Sequence, residues 1–242
     1  MECKLKKQVP VSLSMCDNTG KLAIPHIFTL FMDLAAEHGD AIGLGMGALS
    51  QKGLFWLTVK TKVRIHRRPE LLKTLTAVTW PEAPGRIRCD RSYELTHDGE
   101  CIASGKTEWA MLEVETGRLA RIADSYPPAL QHCERTACDG AYARIPDDFS
   151  ACPEIGRYTV RSTDIDLGQH MNNAAYVHAI FGAFSCSELA GMSIREVDVL
   201  FRTPCYEGDL LSIRRRETAD GPEIGVLRED GTTAVAAKIF CT

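Results

Sequence analysis

The order of elements in this chain repeats. An amphipathic helical segment is followed by a run of alternating strands, and the same succession then starts again. The first helical segment spans residues 24–38, where Ile27, Leu30, Phe31, Leu34 and Ala35 recur at the spacing of one helical face. Pro25 suits its first turn, where the missing N–H costs nothing. Gly43, Gly45 and Gly47 then stop the helix; they follow a helix and not a strand, so they do not form a dinucleotide-binding loop. Residues 54–66 alternate, with Phe55, Leu57, Val59, Val63 and Ile65 to one side and Lys60, Lys62, Arg64 and His66 to the other, which predicts a half-buried strand. Further strands are expected near 72–80, 86–96, 100–113 and 118–122. Turn signals at Pro81, Pro84-Gly85, His97-Asp-Gly99 and Thr116-Gly117 separate them.

Residues 123–156 hold Pro127, Pro128, Pro146 and Pro153 and little periodicity, so a linker is expected there, with a short helix near 127–135. The plan restarts with a short strand (157–163) and a second long helix ending near Gly191. In that helix Val177, Ile180, Phe181 and Phe184 form an apolar stripe. Strands follow near 194–202, 209–217, 222–228 and 233–241. Segments 63–78 and 199–213 echo each other weakly in pattern. A helix followed by an antiparallel sheet must bury its stripe on that sheet. Periodicity therefore predicts an α+β pair of layers, built twice.

Charge and composition exclude several functions. A net charge of −4 and a pI near 6.0 argue against nucleic-acid binding, which needs a basic face. Arg214, Arg215 and Arg216 read as a solvated strand edge, or as a contact for an acidic partner. No apolar run approaches the ~20 residues of a membrane span, and Met1-Glu-Cys-Lys-Leu-Lys-Lys has no apolar core behind it, so a cytoplasmic protein is expected. The ten cysteines are scattered, without metal-ligand spacing. They are expected to be reduced and mostly buried. No metal or organic cofactor is expected.

The densest chemistry lies in Asp164-Ile-Asp-Leu-Gly-Gln-His-Met-Asn-Asn173, directly ahead of the second helix. It places Asp166 four residues from His170. Gly168 permits close backbone approach, and Asn172 and Asn173 are good helix-capping types. A base and backbone donors beside an apolar helix would suit attack on a fatty thioester. Each residue also has a plainer role: Asp164 and Asp166 as helix N-terminal acids worth ~0.3–1 kcal/mol each, the asparagines as caps, His170 as a turn histidine, and Cys205 as an inert thiol. His26, His38 and His178 read as solvated or partly packed.

The chain resembles the acyl-acyl-carrier-protein thioesterases of plants and bacteria, which are double hotdog proteins. In the first half the likeness runs through Ile24-Pro25 to Gly43, Phe55-Trp56-Leu57, Thr79-Trp80-Pro81, Cys89-Asp90-Arg91, Ser104 to Trp109 and Met111 to Leu119. In the second half Thr163-Asp-Ile-Asp-Leu-Gly-Gln-His-Met-Asn-Asn-Ala-Ala-Tyr176 is similar to the family's Ser-Asp-Leu-Asp-x-Asn-x-His-Val-Asn-Asn-x-x-Tyr signature. The chain departs from the pattern at Gly168, where the family has Asn, and at Pro204, where the family has Glu ahead of the cysteine matched by Cys205.

The resemblance implies two antiparallel sheets, each wrapped around a long helix. The expected division is an N-terminal hotdog over 1–125, a linker over 126–156, and a C-terminal hotdog over 157–242 carrying the active site. It implies hydrolysis of fatty acyl-acyl carrier protein to free fatty acid, with acyl carrier protein as partner. Asp166 and His170 would be catalytic, Gly168, Asn172, Asn173 and Cys205 supporting, and Trp56 and Tyr176 close to substrate. Phe28, Phe31, Met32, Met46 and Leu49 would line the acyl slot or simply pack. The first half reads Cys16-Asp-Asn-Thr-Gly-Lys-Leu-Ala-Ile-Pro25 at its own helix start, without the His and Asn pair, so one site per chain is expected. A monomer and a homodimer both fit. The alternatives are an acyl-CoA thioesterase, a hydroxyacyl dehydratase and a non-catalytic acyl-binding module.

Overall fold

The computed structural model describes residues 3–127, 130 and 132–242, and it divides into two compact units, Met1–Gly140 and Ala141–Thr242. The first unit holds β1 (Leu5–Pro10), α1 (Ile24–Ala41), α2 (Met46–Ser50), β2 (Leu54–Ile65), β3 (Thr74–Pro81), β4 (Arg88–His97) and β5 (Glu100–Glu113). Its strands run antiparallel in the order β1-β3-β4-β5-β2. Pro25 sits in the first turn of α1, and the helix buries Ile27, Leu30, Phe31, Leu34 and Ala35 as their spacing predicts. Phe31 stacks on Tyr93 of β4, with ring centroids 4.3 Å apart. A Cβ at Gly105 of β5 would lie 2.4 Å from that Phe31 ring. Only glycine lets the helix come this close to the sheet.

Four expectations for this unit are corrected. The alternation in β2 does not run through, because the register with β5 slips between Thr58 and Lys60. A bulge inserts one residue and exchanges the two faces. Leu57 is consequently 37% exposed while Thr58 and Thr61 are buried. Residues 118–122 do not form a strand; Leu119 makes one isolated bridge to Leu112, and a 3-10 turn begins at Ile122. β1 and α2 were not expected. Of the residues suggested as slot lining, Met46 is exposed.

The segment between the two expected halves is packed and not loose. Trp80 Nε1 donates to Arg135 O at 2.7 Å, and Ala137 N donates to Ser92 Oγ at 2.9 Å, which tie this stretch to the first unit. The short helix expected near 127–135 falls partly on residues 128, 129 and 131, outside the described residues; Leu130 and 132–135 are not helical. In the second unit Ile145 and Phe149 pack with Leu227 and Ala236. A Cβ at Gly225 would lie 2.3 Å from the Phe149 ring.

The second unit holds β6 (Glu154–Thr159), α3 (Asn173–Gly182), α4 (Cys186–Gly191), β7 (Ile194–Phe201), β8 (Leu210–Arg216), β9 (Glu223–Leu227) and β10 (Thr233–Cys241). Its antiparallel order is β7-β10-β9-β8-β6. The expected single long helix is two short ones. Ser185 Oγ accepts from Glu188 N at 3.2 Å while Glu188 Oε2 accepts from Ser185 N at 2.8 Å. This capping box starts a new helix and so ends the old one. In α3 the burial spreads beyond the expected stripe to Ala174, Tyr176 and Ala179.

Two further expectations fail on burial. Arg214, Arg215 and Arg216 are not a free basic edge. Arg214 donates to Cys152 O at 3.2 Å, Arg215 pairs with Glu188 and Glu217, and Arg216 lies over the Phe149 ring and pairs with Glu223. All ten cysteines are free, but only Cys89, Cys138 and Cys205 are buried. No helix among the described residues is long and apolar enough to cross a membrane.

Candidate active site

β6 delivers the chain to a compact turn whose bonds are almost all local. After a 3-10 turn over Ser162–Asp164, an isolated bridge joins Ile165 to Met171 and closes the loop. Asp164 braces the entry: its Oδ2 accepts from Tyr158 Oη at 2.9 Å and from Arg161 N at 2.8 Å, and its carbonyl accepts from Asn172 N at 2.8 Å. Asp166 N donates to His170 O at 3.0 Å, and Gln169 N donates to Asp166 O at 3.0 Å. Asp166 Oδ1 accepts from Gly168 N at 2.7 Å. That bond fixes the carboxylate and leaves Oδ2 with no partner among the described residues.

His170 Nδ1 lies 3.7 Å from Asp166 Oδ1, and the two side chains are 22% and 25% exposed. The same nitrogen is 3.4 Å from Met171 O. The Asp166 contact is longer than a hydrogen bond, but it is an ion pair when the imidazole is protonated.

Asn172 caps α3, its Oδ1 accepting from Ala174 N at 2.8 Å. Its carbonyl takes Ala175 N at 2.9 Å and Tyr176 N at 3.3 Å. The caps therefore consume most of the donors expected to face a ligand at this helix start. Among the described residues Asn173 N is the first-turn amide left without a partner.

A non-local bond fastens the turn to the strand side of the unit. Met171 N donates to Cys205 O at 2.8 Å, and Cys205 N donates to Tyr176 Oη at 2.9 Å. Cys205 is buried, and burial raises its thiol above the ordinary range. It is therefore a protonated thiol whose peptide group does the holding. Burial, together with the neighbouring Cys205 thiol, pushes the Tyr176 phenol far up, against the opposing pull of the bond from Cys205 N. Nothing in the sequence spacing pointed to the Met171–Cys205–Tyr176 link or to the Tyr158–Asp164 brace, because the first is long-range and the second joins a strand to a turn.

Trp56 belongs to the first unit. Its Nε1 donates to Leu44 O at 2.9 Å, and its ring packs with the cluster of Ile42, Leu44, Leu49 and Met111. That ring anchors the loop after α1. A groove of about 500 Å³ in the second unit is lined by Ile155, Arg215, Arg216 and Glu217 among others, and by no residue of the Asp166 turn.

Comparison with known proteins follows the two-unit division. The family model Acyl-ACP thioesterase N-terminal domain matches residues 2–129, and Acyl-ACP thioesterase C-terminal domain matches residues 150–239. The chain belongs to the acyl-ACP thioesterase family. It is 22% identical over 214 residues to oleoyl-acyl carrier protein thioesterase 2, chloroplastic, of Arabidopsis thaliana, covering 81% of this chain and 58% of that protein. It is 24% identical over 209 residues to acyl-[acyl-carrier-protein] hydrolase FATB3, chloroplastic, of Cuphea viscosissima, covering 78% and 49%. The chain thus spans 49% to 58% of the length of these two relatives.

Among solved structures, an acyl-ACP thioesterase from Bacteroides thetaiotaomicron VPI-5482 superposes with a TM-score of 0.88 at 19% identity, covering 99% of this chain and 98% of that one. The 12:0-ACP thioesterase from Umbellularia californica gives 0.85 at 18% identity, covering 100% and 98%. These likenesses show the fold, an α+β hotdog-like architecture.

Proposed function

We propose that this chain hydrolyses fatty acyl-acyl carrier protein thioesters to free fatty acid and the carrier thiol, with Asp166 and His170 as its catalytic pair. The observation that carries the reading is their 3.7 Å approach on a rigid, partly exposed turn, inside the stretch matched by the family's C-terminal domain. Water attacks the thioester carbonyl and passes a proton to the free oxygen of Asp166. General-base help of this kind contributes ~10²–10⁴-fold. Asn173 N–H, at the positive end of α3, faces the developing oxyanion. Collapse of the tetrahedral intermediate breaks the carbon–sulfur bond, and the proton held between Asp166 and His170 goes to the leaving sulfur.

Gly168 supplies its N–H to Asp166 but no side-chain amide, and Pro204 offers no carboxylate. The site therefore works with fewer polar groups than the family signature. Cys205 and Tyr176 hold the turn in place, and Asn172 caps the helix. Acyl carrier protein is the partner of this reading and the cytoplasm its compartment, with the chain acting as monomer or homodimer. Residues 157–242 carry the site.

A matched panel of acyl carrier protein and acyl-CoA esters, from short to long chains, tests the assignment by kcat/KM. Higher values on the carrier-protein esters are expected, and equal or better turnover of CoA esters removes the carrier assignment. Enoyl product from a hydroxyacyl thioester would replace hydrolysis with dehydration. Wild type that hydrolyses no faster than Asp166→Ala, while both bind acyl ligand, would leave an acyl-binding module.

A further inference from the structure

The inner face of β4 in the first unit carries a positive charge that has no negative partner among the described residues. Alternation along the strand places Cys89, Arg91 and Tyr93 on one face. Their partners on β5 are Trp109, Thr107 and Gly105 in that order. Arg91 is 8% exposed. It donates to His38 Nδ1, in the last turn of α1, at 2.8 Å, and to Thr79 Oγ1 at 3.3 Å. An imidazole nitrogen that accepts from a guanidinium carries no proton, so both acceptors are neutral. No carboxylate among the described residues lies within ion-pair distance of Arg91.

Two more buried donors lie on the same face of the sheet. Tyr93 is fully buried, and its Oη has no hydrogen-bond partner among the described residues. The Trp109 Nε1 is also buried and without a hydrogen-bond partner among the described residues. Thr107 and Trp109 lie close to Tyr93 Oη, but neither reaches hydrogen-bonding geometry. Buried polar groups in folded proteins are almost always paired, and buried charges are paired or neutralised. The carbonyl end of α1 offsets part of the charge. It does nothing for the indole and phenol donors.

We propose that this face of the first unit is a binding site for a carboxylate, with Arg91 as its cationic anchor and Tyr93 Oη and Trp109 Nε1 as accessory donors. A guanidinium fork matches the two oxygens of a carboxylate. A single guanidinium suits a monoanion better than a phosphate dianion. The surroundings are otherwise apolar, with Phe31 stacked on Tyr93 and Trp56 edge-on to Trp109. The carboxylate is therefore either a small free acid or the far end of an apolar chain. The inference stands apart from the hydrolysis proposed above, since its residues and its readout differ from those of the Asp166 turn.

The test is a thermal-shift and calorimetric titration of the whole chain with three probes: acetate, monomethyl sebacate (a free carboxylate on a long chain) and methyl decanoate (a long chain without one). Sodium chloride at matched ionic strength is the reference. A carboxylate probe is expected to raise Tm beyond chloride and methyl decanoate. Response to acetate identifies a free small acid as the source, and response to monomethyl sebacate alone identifies a chain end. Arg91→Gln is expected to weaken binding about 10- to 100-fold, and Trp109→Phe and Tyr93→Phe about tenfold each.

Those last two variants keep the test decisive even where Arg91→Gln does not fold. Removing a donor from an empty site relieves an unmet polar group and raises the ligand-free Tm, with no change in carboxylate binding. That result would overturn the proposal, as would a response to acetate and monomethyl sebacate no larger than that to chloride or methyl decanoate.

Discussion

Residues 13–24 and 162–173 fold into the same turn twice, with different side chains attached. A 3-10 turn opens each, over Leu13–Met15 and Ser162–Asp164. Isolated bridges Cys16 to Leu22 and Ile165 to Met171 close them. Asp17 N donates to Lys21 O at 2.9 Å, as Asp166 N does to His170 O at 3.0 Å. Asp17 Oδ1 accepts from Thr19 N at 2.8 Å, as Asp166 Oδ1 does from Gly168 N at 2.7 Å. Leu22 N reaches Pro69 O and Met171 N reaches Cys205 O, both at 2.8 Å. The aspartate, its backbone bond and the anchor to a distant carbonyl are thus a scaffold that either half builds. What differs is the partner: Arg68 for Asp17, His170 for Asp166. A guanidinium stays charged and locks its aspartate in a permanent ion pair. An imidazole exchanges protons near neutrality and leaves its aspartate available. This is why one copy is read as structural and the other as catalytic.

The sharpest way to break that reading is to neutralise both aspartates in turn. Asp166→Asn keeps the acceptor for Gly168 N–H and removes the base. It is expected to lower kcat by ~10²–10⁴-fold with little change in Tm. Asp17→Asn is expected to leave kcat unchanged within about twofold and to lower Tm. Equal losses of kcat from the two, measured on one acyl carrier protein ester, would show that the turn acts only as a frame.

The anchoring of the second turn gives the next effect. Tyr176→Phe removes the oxygen that accepts from Cys205 N at 2.9 Å. A buried donor left without a partner costs ~1–3 kcal/mol, read as a lower midpoint in urea unfolding. Because Cys205 O holds Met171, kcat is expected to fall with it. Cys205→Ala keeps that peptide and deletes only the thiol, so kcat should change by less than about threefold. A larger loss would make the thiol a participant.

Asp17 offers a smaller and pH-dependent effect. Burial works to raise its pKa, but hydrogen bonds from Thr19 and Arg68 outweigh it and bring the carboxyl down from 3.8 to about 2. A depressed folded-state value contributes stability that is present above 3.8 and is lost as pH falls through about 2. About a quarter of each side chain remains exposed, 27% for Arg68 and 26% for Asp17, so solvent screens the pair. The expected loss is about 1 kcal/mol. Wild type should lose it in an acid titration between those pH values, and Asp17→Asn should not.

How much of this was legible in the sequence depends on how far apart the cooperating residues lie. α1 was readable because it follows one period for its whole length. β2 was misread because its bulge shifts the period partway along, and nothing in Thr58-Val-Lys60 marks the slip. The break after α3 was present as Ser185-Cys-Ser-Glu188, a capping pattern masked by apolar spacing that continues to Phe184. β1 alternates weakly and lies at a sheet edge, where one side chain in two meets solvent. At the site, Asp166 and His170 were visible because four residues separate them. The repeat of their turn in the first half was hidden, because the shared feature is backbone geometry and only the aspartate is common to both sequences.

The smallest expected effect tests the scaffold alone. The left-handed position of the first turn is Gly20, at φ 72°, and the matching position of the second is Gln169, at φ 62°. A side chain in that conformation costs roughly 1–2 kcal/mol, and glycine avoids the cost but loses roughly 0.5–1 kcal/mol more entropy on folding. Gln169→Gly should therefore stabilise the protein by at most about 1 kcal/mol. Gly20→Gln should destabilise it by a similar amount, since a Cβ there meets nothing within 4 Å and backbone strain is the only penalty. Equal and opposite shifts in the unfolding midpoint would show two interchangeable copies of one frame. If Gln169→Gly instead lowers kcat while stabilising the fold, the strain at Gln169 is part of what holds Asp166 and His170 at their working distance, and the second copy has diverged in backbone as well as in side chains.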